Sequence, residues 1–518
     1  MLVCGQFHIF LQNMYSFREN MIKRLFLFLV FMGLSAFYAQ AQVYYTDAFR
    51  YTYRPLPTGS ARALSLGGAQ GALGGDATAL LVNPAGIGLF RRAEVAVGID
   101  YGNSLLQSNY LENTNTATRD KIGLSHAAAI FATPQSLSGQ SLQFGISYVR
   151  SHDFRQDTYY QASNPYSSLA DVWTEEAAGI HAGVFEAEAA NNEIYDLASL
   201  AYATFVINPY ADDSTAYYTE FRDVNNQLVA PILQEERVKE SGNRSVFNIT
   251  VGGQVQEKVY WGATVGVEVI NYQRENVYKE RLSRTAADGE LQAFTLRQRY
   301  TATGGGLYLG LGVIVRPVET LRLGISVQTP TGFSLYETSR ASIESESVGF
   351  SKVSASMLPY EYDFRYRSPW RATGSLFWQI KKYGFVTADV EWIPYRQMGV
   401  SGSDDNFDES GERRAIQETF RNTIQARVGA EARLGSWYVR SGVCYTPSPL
   451  RSGQDYYDAM AFTAGIGYRL QGFQLSVGGI WAHYSSLYQP YVSQQYFSPT
   501  VERKHRYMQW QFSTHWYF

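Results

Sequence analysis

Hydrophobic and polar residues alternate with a period of two along most of the chain beyond Arg92. Such alternation predicts antiparallel β-strands with one apolar and one polar face. In the strand predicted at 412–434, charged Arg427 and Glu431 fall on the polar face, which is typical of a wet lumen. The last segment is the clearest case, because five apolar residues fall on one face: Met508, Trp510, Phe512, Trp516 and Phe518.

The spacing of the strands decides between a soluble sandwich and a membrane barrel. We count about 14 strands between 93 and 518, and the connections alternate between short and long. The long ones include 105–123 and 162–243. Tight periplasmic turns opposite long extracellular loops are typical of outer-membrane barrels. The sequence therefore predicts an all-β fold, a transmembrane antiparallel β-barrel in the outer membrane of a Gram-negative bacterium.

The predicted extracellular loop 162–243 is far longer than an ordinary connection, so we expect it to have a function. Apolar residues recur at helical spacing over 169–184 and again over 194–205, which predicts a partly helical loop. Two interpretations stand side by side. The helices could simply cover the mouth of the barrel, or Trp173, Ile180 and Phe185 could form a surface on which a hydrophobic ligand lands.

The N-terminus has the three parts of a secretory signal peptide. Lys23 and Arg24 supply the positive charge, an apolar run follows, and Ala39-Gln40-Ala41 supplies the cleavage site. We therefore expect residues 1–41 to be a leader and signal peptide that is cleaved after Ala41. Residues 42–92 lack alternation and are rich in Gly and Ala, so we expect them to form an N-terminal hatch before the barrel at 93–518.

Composition narrows the possible functions. The formal net charge of the 518 residues is −3, which gives no basic footprint for nucleic acid. Aromatic residues reach 15%, whereas charged residues make up only 18%. Such rings are common where a membrane barrel meets the lipid–water interface. Cys4 would leave with the signal peptide, so Cys444 would have no partner for a disulfide.

The segment from Ala61 to Gly86 reads ARALSLGGAQGALGGDATALLVNPAG. Pro84 stops a helix, because it restricts the residue before it and lacks an N–H group. The segment resembles the hatch of the FadL/TodX family, outer-membrane transporters of long-chain fatty acids and aromatic hydrocarbons. The residues that carry the resemblance, and that would form the hatch and bind ligand, are Gly67, Gly68, Gly74, Gly75, Asp76, Asn83, Pro84, Ala85 and Gly86.

The resemblance implies a channel for passive uptake of hydrophobic small molecules. Ligand would be caught by the loops, held in an apolar pocket beside the hatch and released sideways through a gap in the wall. Expected partners are the ligand, outer-membrane lipid and lipopolysaccharide, and the barrel assembly machinery through Phe518. We expect a monomer without cofactor or metal. One departure from the family is the position of the largest loop, which follows the third strand.

Catalytic motifs are missing from the sequence. It has no Gly-x-Ser-x-Gly elbow, no His-Glu-x-x-His and no phosphate-binding loop, and the acidic stretch at 404–415 fails as a calcium loop. We therefore expect no enzyme. Two alternatives remain open. The chain could be a FadL-like barrel subunit of a type IX-like secretion or surface-anchoring system, or an outer-membrane hydrolase with a Ser/His pair at the loop-side rim.

Overall fold

The computed structural model describes residues 49–133, 139–402, 407–451 and 458–518. The predicted leader and signal peptide, residues 1–41, lie outside the described residues. Within the described residues, no helix is long and apolar enough to cross a membrane.

Strands dominate the structure, as the alternation predicts. In chain order they are β1 (Glu94–Tyr110), β2 (Asn113–Ala132), β3 (Gln140–Asp153), β4 (Gln156–Asn164), β5 (Asn208–Pro209), β6 (Tyr217–Tyr218), β7 (Ile232–Val255), β8 (Val259–Leu282), β9 (Leu291–Val318), β10 (Leu321–Gln328), β11 (Gly332–Ser347), β12 (Val353–Ser356), β13 (Tyr360–Arg367), β14 (Arg371–Ile380), β15 (Gly384–Ile393), β16 (Gly399–Gly402), β17 (Thr423–Leu434), β18 (Trp437–Thr446), β19 (Ala459–Leu470), β20 (Phe473–Tyr488) and β21 (Val501–Tyr517).

These strands form a closed antiparallel barrel with 14 wall positions, which confirms the predicted fold class and strand number. Four wall positions are shared by consecutive strands: β3 with β4, β10 with β11, β12 with β13 and β14, and β15 with β16. The barrel closes where β1 pairs with β21, in a register that runs from Glu94 opposite Tyr517 to Tyr110 opposite Val501. Every neighbouring pair is antiparallel, so the wall is a simple meander.

The wall is apolar outside and polar inside. On β8, Trp261, Val265 and Val269 are 41%, 49% and 40% exposed, whereas Thr264 and Glu268 between them are buried. Outward aromatic rings collect at the ends of the strands with short turns, in agreement with an interfacial girdle: Trp261, Trp378, Tyr383, Trp437 and Trp516. Such an exterior is stable only against lipid, so the chain is a transmembrane barrel of the outer membrane.

Helices are confined to the lumen and the loops. The hatch contains α1 (Ala61–Ser65) and 3₁₀ helices at Ala77–Leu81 and Pro84–Leu89. The longest excursion contains α2 (Leu169–Ala177), α3 (Ala182–Asn191) and α4 (Leu197–Ala203). A 3₁₀ turn at Tyr395–Gln397 and α5 (Glu409–Thr419) follow later in the chain. The structure thus has a hatch of short helices and a long, partly helical loop, as predicted.

Three boundary predictions were wrong. Residues 105–123 are mostly strand, because β1 and β2 continue far beyond the membrane, where the outward face is polar and the alternation disappears. The excursion predicted at 162–243 is shorter, since β4 reaches Asn164 and β7 begins at Ile232. The first residues of the strand predicted at 412–434 belong to α5, which Asp408 caps by accepting hydrogen bonds from the Ser410 and Gly411 backbone.

Candidate functional site

The hatch lies inside the barrel and is fixed to the wall through its backbone. The Ala61 N–H donates to Ser513 Oγ at 2.8 Å, and the Gly67 N–H donates to Thr463 Oγ1 at 3.0 Å. On the far side, the Gln70 N–H donates to Asp389 Oδ2 at 2.9 Å. Since α1 has only five residues, these wall contacts, rather than helix propensity, hold it in place.

The four predicted hatch glycines all have positive φ angles: 65° at Gly67, 80° at Gly68, 59° at Gly74 and 63° at Gly75. Other residues rarely adopt this conformation, which turns the chain after α1 and again before Asp76. Gly67 must also lack a side chain, because a Cβ atom there would lie 2.8 Å from the Val443 backbone oxygen. The sequence thus located these turns correctly.

Asp76 joins the two halves of the hatch. Its carboxylate accepts hydrogen bonds from the Thr78 backbone at 2.9 Å, from the Thr78 hydroxyl at 2.7 Å and from the Ser60 hydroxyl. Ser60 in turn caps α1 by accepting from the Ala63 N–H at 3.0 Å. One buried carboxylate therefore sets the orientation of α1 relative to the following 3₁₀ helix.

The Asn83-Pro84-Ala85-Gly86 motif begins the second 3₁₀ helix of the hatch. Asn83 Oδ1 accepts from the Ala85 N–H at 3.0 Å, and Asn83 Nδ2 donates to the Gly71 carbonyl at 2.8 Å. Pro84 occupies the first helical position, where its missing N–H is harmless. The four residues are buried and have clear structural roles, while their predicted part in ligand binding stays a prediction.

A belt of wall glycines surrounds the hatch, which the sequence reasoning missed. A Cβ atom at Gly478 would lie 2.5 Å from the Ala61 oxygen, and one at Gly324 would lie 2.9 Å from the Gly71 oxygen. The signal was present, because these glycines occupy one lumen-facing position on strand after strand. The belt comprises Gly252, Gly262, Gly312, Gly324, Gly429, Gly442, Gly465 and Gly478.

The belt gives a first testable prediction. We expect Gly478→Val to force α1 away from β20, since its side chain would overlap the Ala61 backbone and the Ser65 hydroxyl. Overpacking of this kind costs about 1–3 kcal/mol. The variant should therefore unfold at a lower temperature on heat-modifiability gels and admit polar solutes in liposome swelling. Gly374→Val is the matched control, because Gly374 is exposed on the outside of β14 with open space around it. Identical behaviour of the two variants would contradict the belt.

Above the hatch the lumen holds a cavity of about 490 Å³. Its floor is the hatch segment from Pro55 to Gly59, and its walls come from β1 to β4, β7, β8, β20 and β21. Aromatic rings line one side, among them Phe154, Tyr488 and Tyr507. A pocket above the hatch was expected, but its lining is half polar rather than apolar.

The cavity carries an excess of positive charge. Lys121 and Arg155 pair with Asp153 at 3.5 and 2.8 Å. Arg274 Nη2 donates to the Tyr488 hydroxyl at 3.3 Å, while the Arg503 guanidinium lies 5.0 Å from the centre of the same ring. Neither Arg274 nor Arg503 forms a salt bridge in the described parts of the chain. A ligand carboxylate or phosphate in this cavity would therefore find two cations available.

The wall beside the cavity contains a seam without backbone pairing. β2 pairs with β3 only from His126 opposite Val149 to Ala132 opposite Gln143, and the longer part of β2, residues 113–125, pairs with β1 alone. Likewise β4 pairs only with β7. Side chains bridge the seam instead, through an ion pair between Arg119 and Asp157 at 3.7 Å.

The seam lies where the outer surface of the barrel changes from polar to apolar. Ile122 and Leu124 on its lower edge are 72% and 44% exposed, so this part of the seam faces the apolar layer. On the lumen side the seam meets the cavity, which is lined there by Lys121, Ser125 and the stretch from Arg150 to Gln156. A lateral opening would need side-chain contacts to break, including the hydrogen bonds of the Asn113 and Asn115 side chains with the Gln161 backbone, but no strand-to-strand backbone pairing.

The loop helices α2 to α4, with the rest of 165–231, form a lid with its own hydrophobic core. Trp173 and Phe185, two of the residues at which ligand was predicted to land, are 1% and 2% exposed. Trp173 packs on Phe294 with ring centroids 5.2 Å apart. Ile180, the third, is 37% exposed. Of the three predicted residues only Ile180 therefore meets solvent, and more exposed apolar side chains of the lid include Val184, Tyr195, Phe205 and Val224.

Chemistry of a catalytic kind is sparse among the described residues. No group of three or more His, Cys, Asp or Glu there could hold a metal ion. The hydrolase alternative calls for a Ser/His pair, and Ser486 Oγ does lie 3.0 Å from His505 Nε2 beside the cavity. Ser486 and His505 are both buried, and no carboxylate is hydrogen-bonded to His505 in the described residues.

Together, the closed wall, the internal hatch and the lumen cavity define an outer-membrane barrel with a plugged lumen. The fold is that of the FadL-type channels. A FadL homologue from Pseudomonas aeruginosa is 12% identical with a TM-score of 0.52, over 89% of this chain and 98% of its own. The P. putida toluene transporter TodX is 14% identical with a TM-score of 0.52, over 89% and 99%. No protein-family model and no curated protein matches the sequence.

Proposed function

We propose that this barrel takes up hydrophobic small molecules that carry an anionic group, such as long-chain fatty acids. The observation that carries the proposal is the cavity of about 490 Å³ between hatch and lid, with unpaired cations inside and an unpaired seam in its wall. The cavity offers aromatic surface for an apolar tail and Arg274 and Arg503 for the anionic end. The shared fold with FadL-type channels supports the same function.

The path would run sideways rather than straight through. Below the cavity the hatch is held by the glycine belt. A second recess lies on the periplasmic side of the hatch, and the two spaces have no lining residue in common. Ligand would enter where the lid meets the rim and leave through the seam between β2 and β4 into the membrane. Because Trp173 and Phe185 are buried in the lid core, the lid would have to loosen before they could touch ligand.

The charge of the cavity favours an acid over a neutral hydrocarbon. An uncharged molecule that displaced water from Arg274 and Arg503 would leave two desolvated cations with only Tyr488 as a close partner, which is costly. A carboxylate would instead form charge-assisted hydrogen bonds with them. The proposal thus separates fatty acids from monoaromatic hydrocarbons as ligands.

We test the proposal by calorimetry on the purified barrel in detergent, with fatty acids of increasing length and the primary alcohols of equal length. Affinity should rise with chain length, by up to about 0.8 kcal/mol per buried CH₂ group. Acids should bind more tightly than alcohols, and Arg503→Gln should remove that difference. Arg237→Gln, an exposed residue of β7 outside the cavity, is the control. Absent binding in both series would defeat the proposal and favour the secretion-subunit alternative.

The remaining assignments belong to the same proposal. The mature chain would begin at Gln42, residues 42–92 would form the hatch, and the barrel at 93–518 would act as a monomer. Edman sequencing of protein purified from outer membranes checks the first point directly. A mature N-terminus at any residue other than Gln42 would move the boundary of the leader.

A further inference from the structure

The periplasmic side of the hatch holds a second recess, of about 720 Å³, that plays no part in the uptake path. Short turns surround it, at 381–383, 435–436 and 471–472, together with the start of β1. Its roof is the lower surface of the hatch at Arg62, Gly75 and Leu89. Because the turns are short, nothing in the described chain stands between this recess and the periplasm.

Cations dominate the lining of the recess. Eight Arg and Lys side chains line it against two carboxylates, Glu94 and Glu431. Glu431 is already paired with Arg440 at 2.7 Å and with Arg62 at 3.5 Å, and Glu94 contacts His515 at 2.8 Å. Five exposed cations on the rim have no carboxylate within salt-bridge distance in the described residues: Arg92, Lys381, Lys382, Arg433 and Arg469.

Aromatic rings hold some of these cations in place. The Arg469 guanidinium lies 4.9 Å from the centre of the Tyr517 ring, and Arg433 lies 5.8 Å from that of Tyr438. Stacking of this kind orients a guanidinium without neutralising it, so the charge remains available. On the long strand ends, by contrast, several exposed cations are paired, as Lys279 is with Glu235 at 3.2 Å.

The distribution of charge along the barrel axis is uneven. The extracellular excursion at 165–231 contains eleven Asp and Glu and a single Arg, whereas the periplasmic rim is basic. We propose that the periplasmic recess is a docking site for an acidic polypeptide segment of a periplasmic partner protein. A small anion could meet only one or two of cations spread over four separate segments of the rim. A chain with several acidic side chains can meet them together, and the shallow rim lets it approach.

The probe is a deca-glutamate peptide, titrated into the full-length barrel in neutral detergent and followed by fluorescence anisotropy. We expect saturable binding that weakens steeply with added salt. A variant with Arg92, Lys381, Lys382, Arg433 and Arg469 all changed to Gln should bind at least tenfold more weakly. All five are exposed, so the barrel should still fold.

The matched control changes exposed cations of the strand ends on the other side of the membrane, Arg237, Lys279, Arg281, Arg299 and Lys352, to Gln. It should bind deca-glutamate like the wild type. Equal binding by the two variants would overturn the proposal. So would displacement of the peptide by inorganic phosphate at equal charge concentration, which would indicate a site for small anions. Fatty-acid binding should be unchanged in the rim variant, so this test is independent of the uptake proposal.

Discussion

Phe512→Asp should nearly abolish the folded barrel in the outer membrane. Phe512 is 47% exposed on the outside of β21, opposite Ile99 of β1 and Val477 of β20, all within the apolar belt. A charged side chain at mid-bilayer costs roughly 2–4 kcal/mol for Arg or Lys and less for Asp, and the packing of the ring is lost as well. Since β21 must pair with β1 to close the wall, we expect the substitution to impair closure of the barrel.

The measurement is the fraction of heat-modifiable barrel recovered from outer membranes. Gln509→Asp is the control, because Gln509 lies three residues earlier on the same strand and lines the lumen cavity. There the new carboxylate meets water and nearby cations, so this variant should assemble normally. Equal recovery of the two variants would mean that the assigned faces of β21 are wrong.

Deleting the hatch should convert a sealed barrel into an open pore. A wall of 14 strands is wider than the eight-stranded barrels whose lumen side chains alone can fill. In this protein the hatch fills that space, with the glycine belt packed against its backbone. If residues 42–89 are removed and the mature chain begins at Phe90, the backbone pairs of the wall remain and the plug is gone.

Planar-bilayer recordings provide the measurement. We expect large, steady conductance from the deletion variant and almost none from the intact chain. Heat modifiability of the deletion variant shows that the wall has folded, which separates an open pore from an unfolded protein. A folded deletion variant that stays closed would show that the lid or the wall seals the lumen, and the hatch would lose its assigned role.

The strands and the hatch turns could be predicted because the local properties of their residues specify them. The alternation of Phe512, Trp516 and their polar neighbours is set by the geometry of a strand, whose side chains point to opposite faces. The alternation predicted strands, and the alternation of short and long connections between them decided for a membrane barrel. The hatch turns followed as well, because Gly67 and Gly74 are required wherever the backbone has positive φ.

Prediction from the sequence failed where the surroundings of a segment, rather than its own residues, decide its conformation or its burial. Residues 105–123 form a strand hairpin because β1 pairs there with both β2 and β21, and outside the membrane no apolar face marks these strands. Trp173 and Phe185 have the periodicity of both a landing surface and a lid core, and packing against Phe294 and its neighbours selected the core. Periodicity reports which face is apolar, but not what that face contacts.

A transmembrane barrel of about 14 strands, with a Gly-rich hatch and one helical loop, could be predicted from the amino-acid pattern. The tertiary structure alone decided where the functional features lie: the glycine belt, the seam beside β4, the cationic cavity and the basic periplasmic recess. The physical reason is that each of these is assembled from residues far apart in the chain. Arg274 and Arg503, for example, reach one tyrosine from strands that only the closure of the barrel brings together.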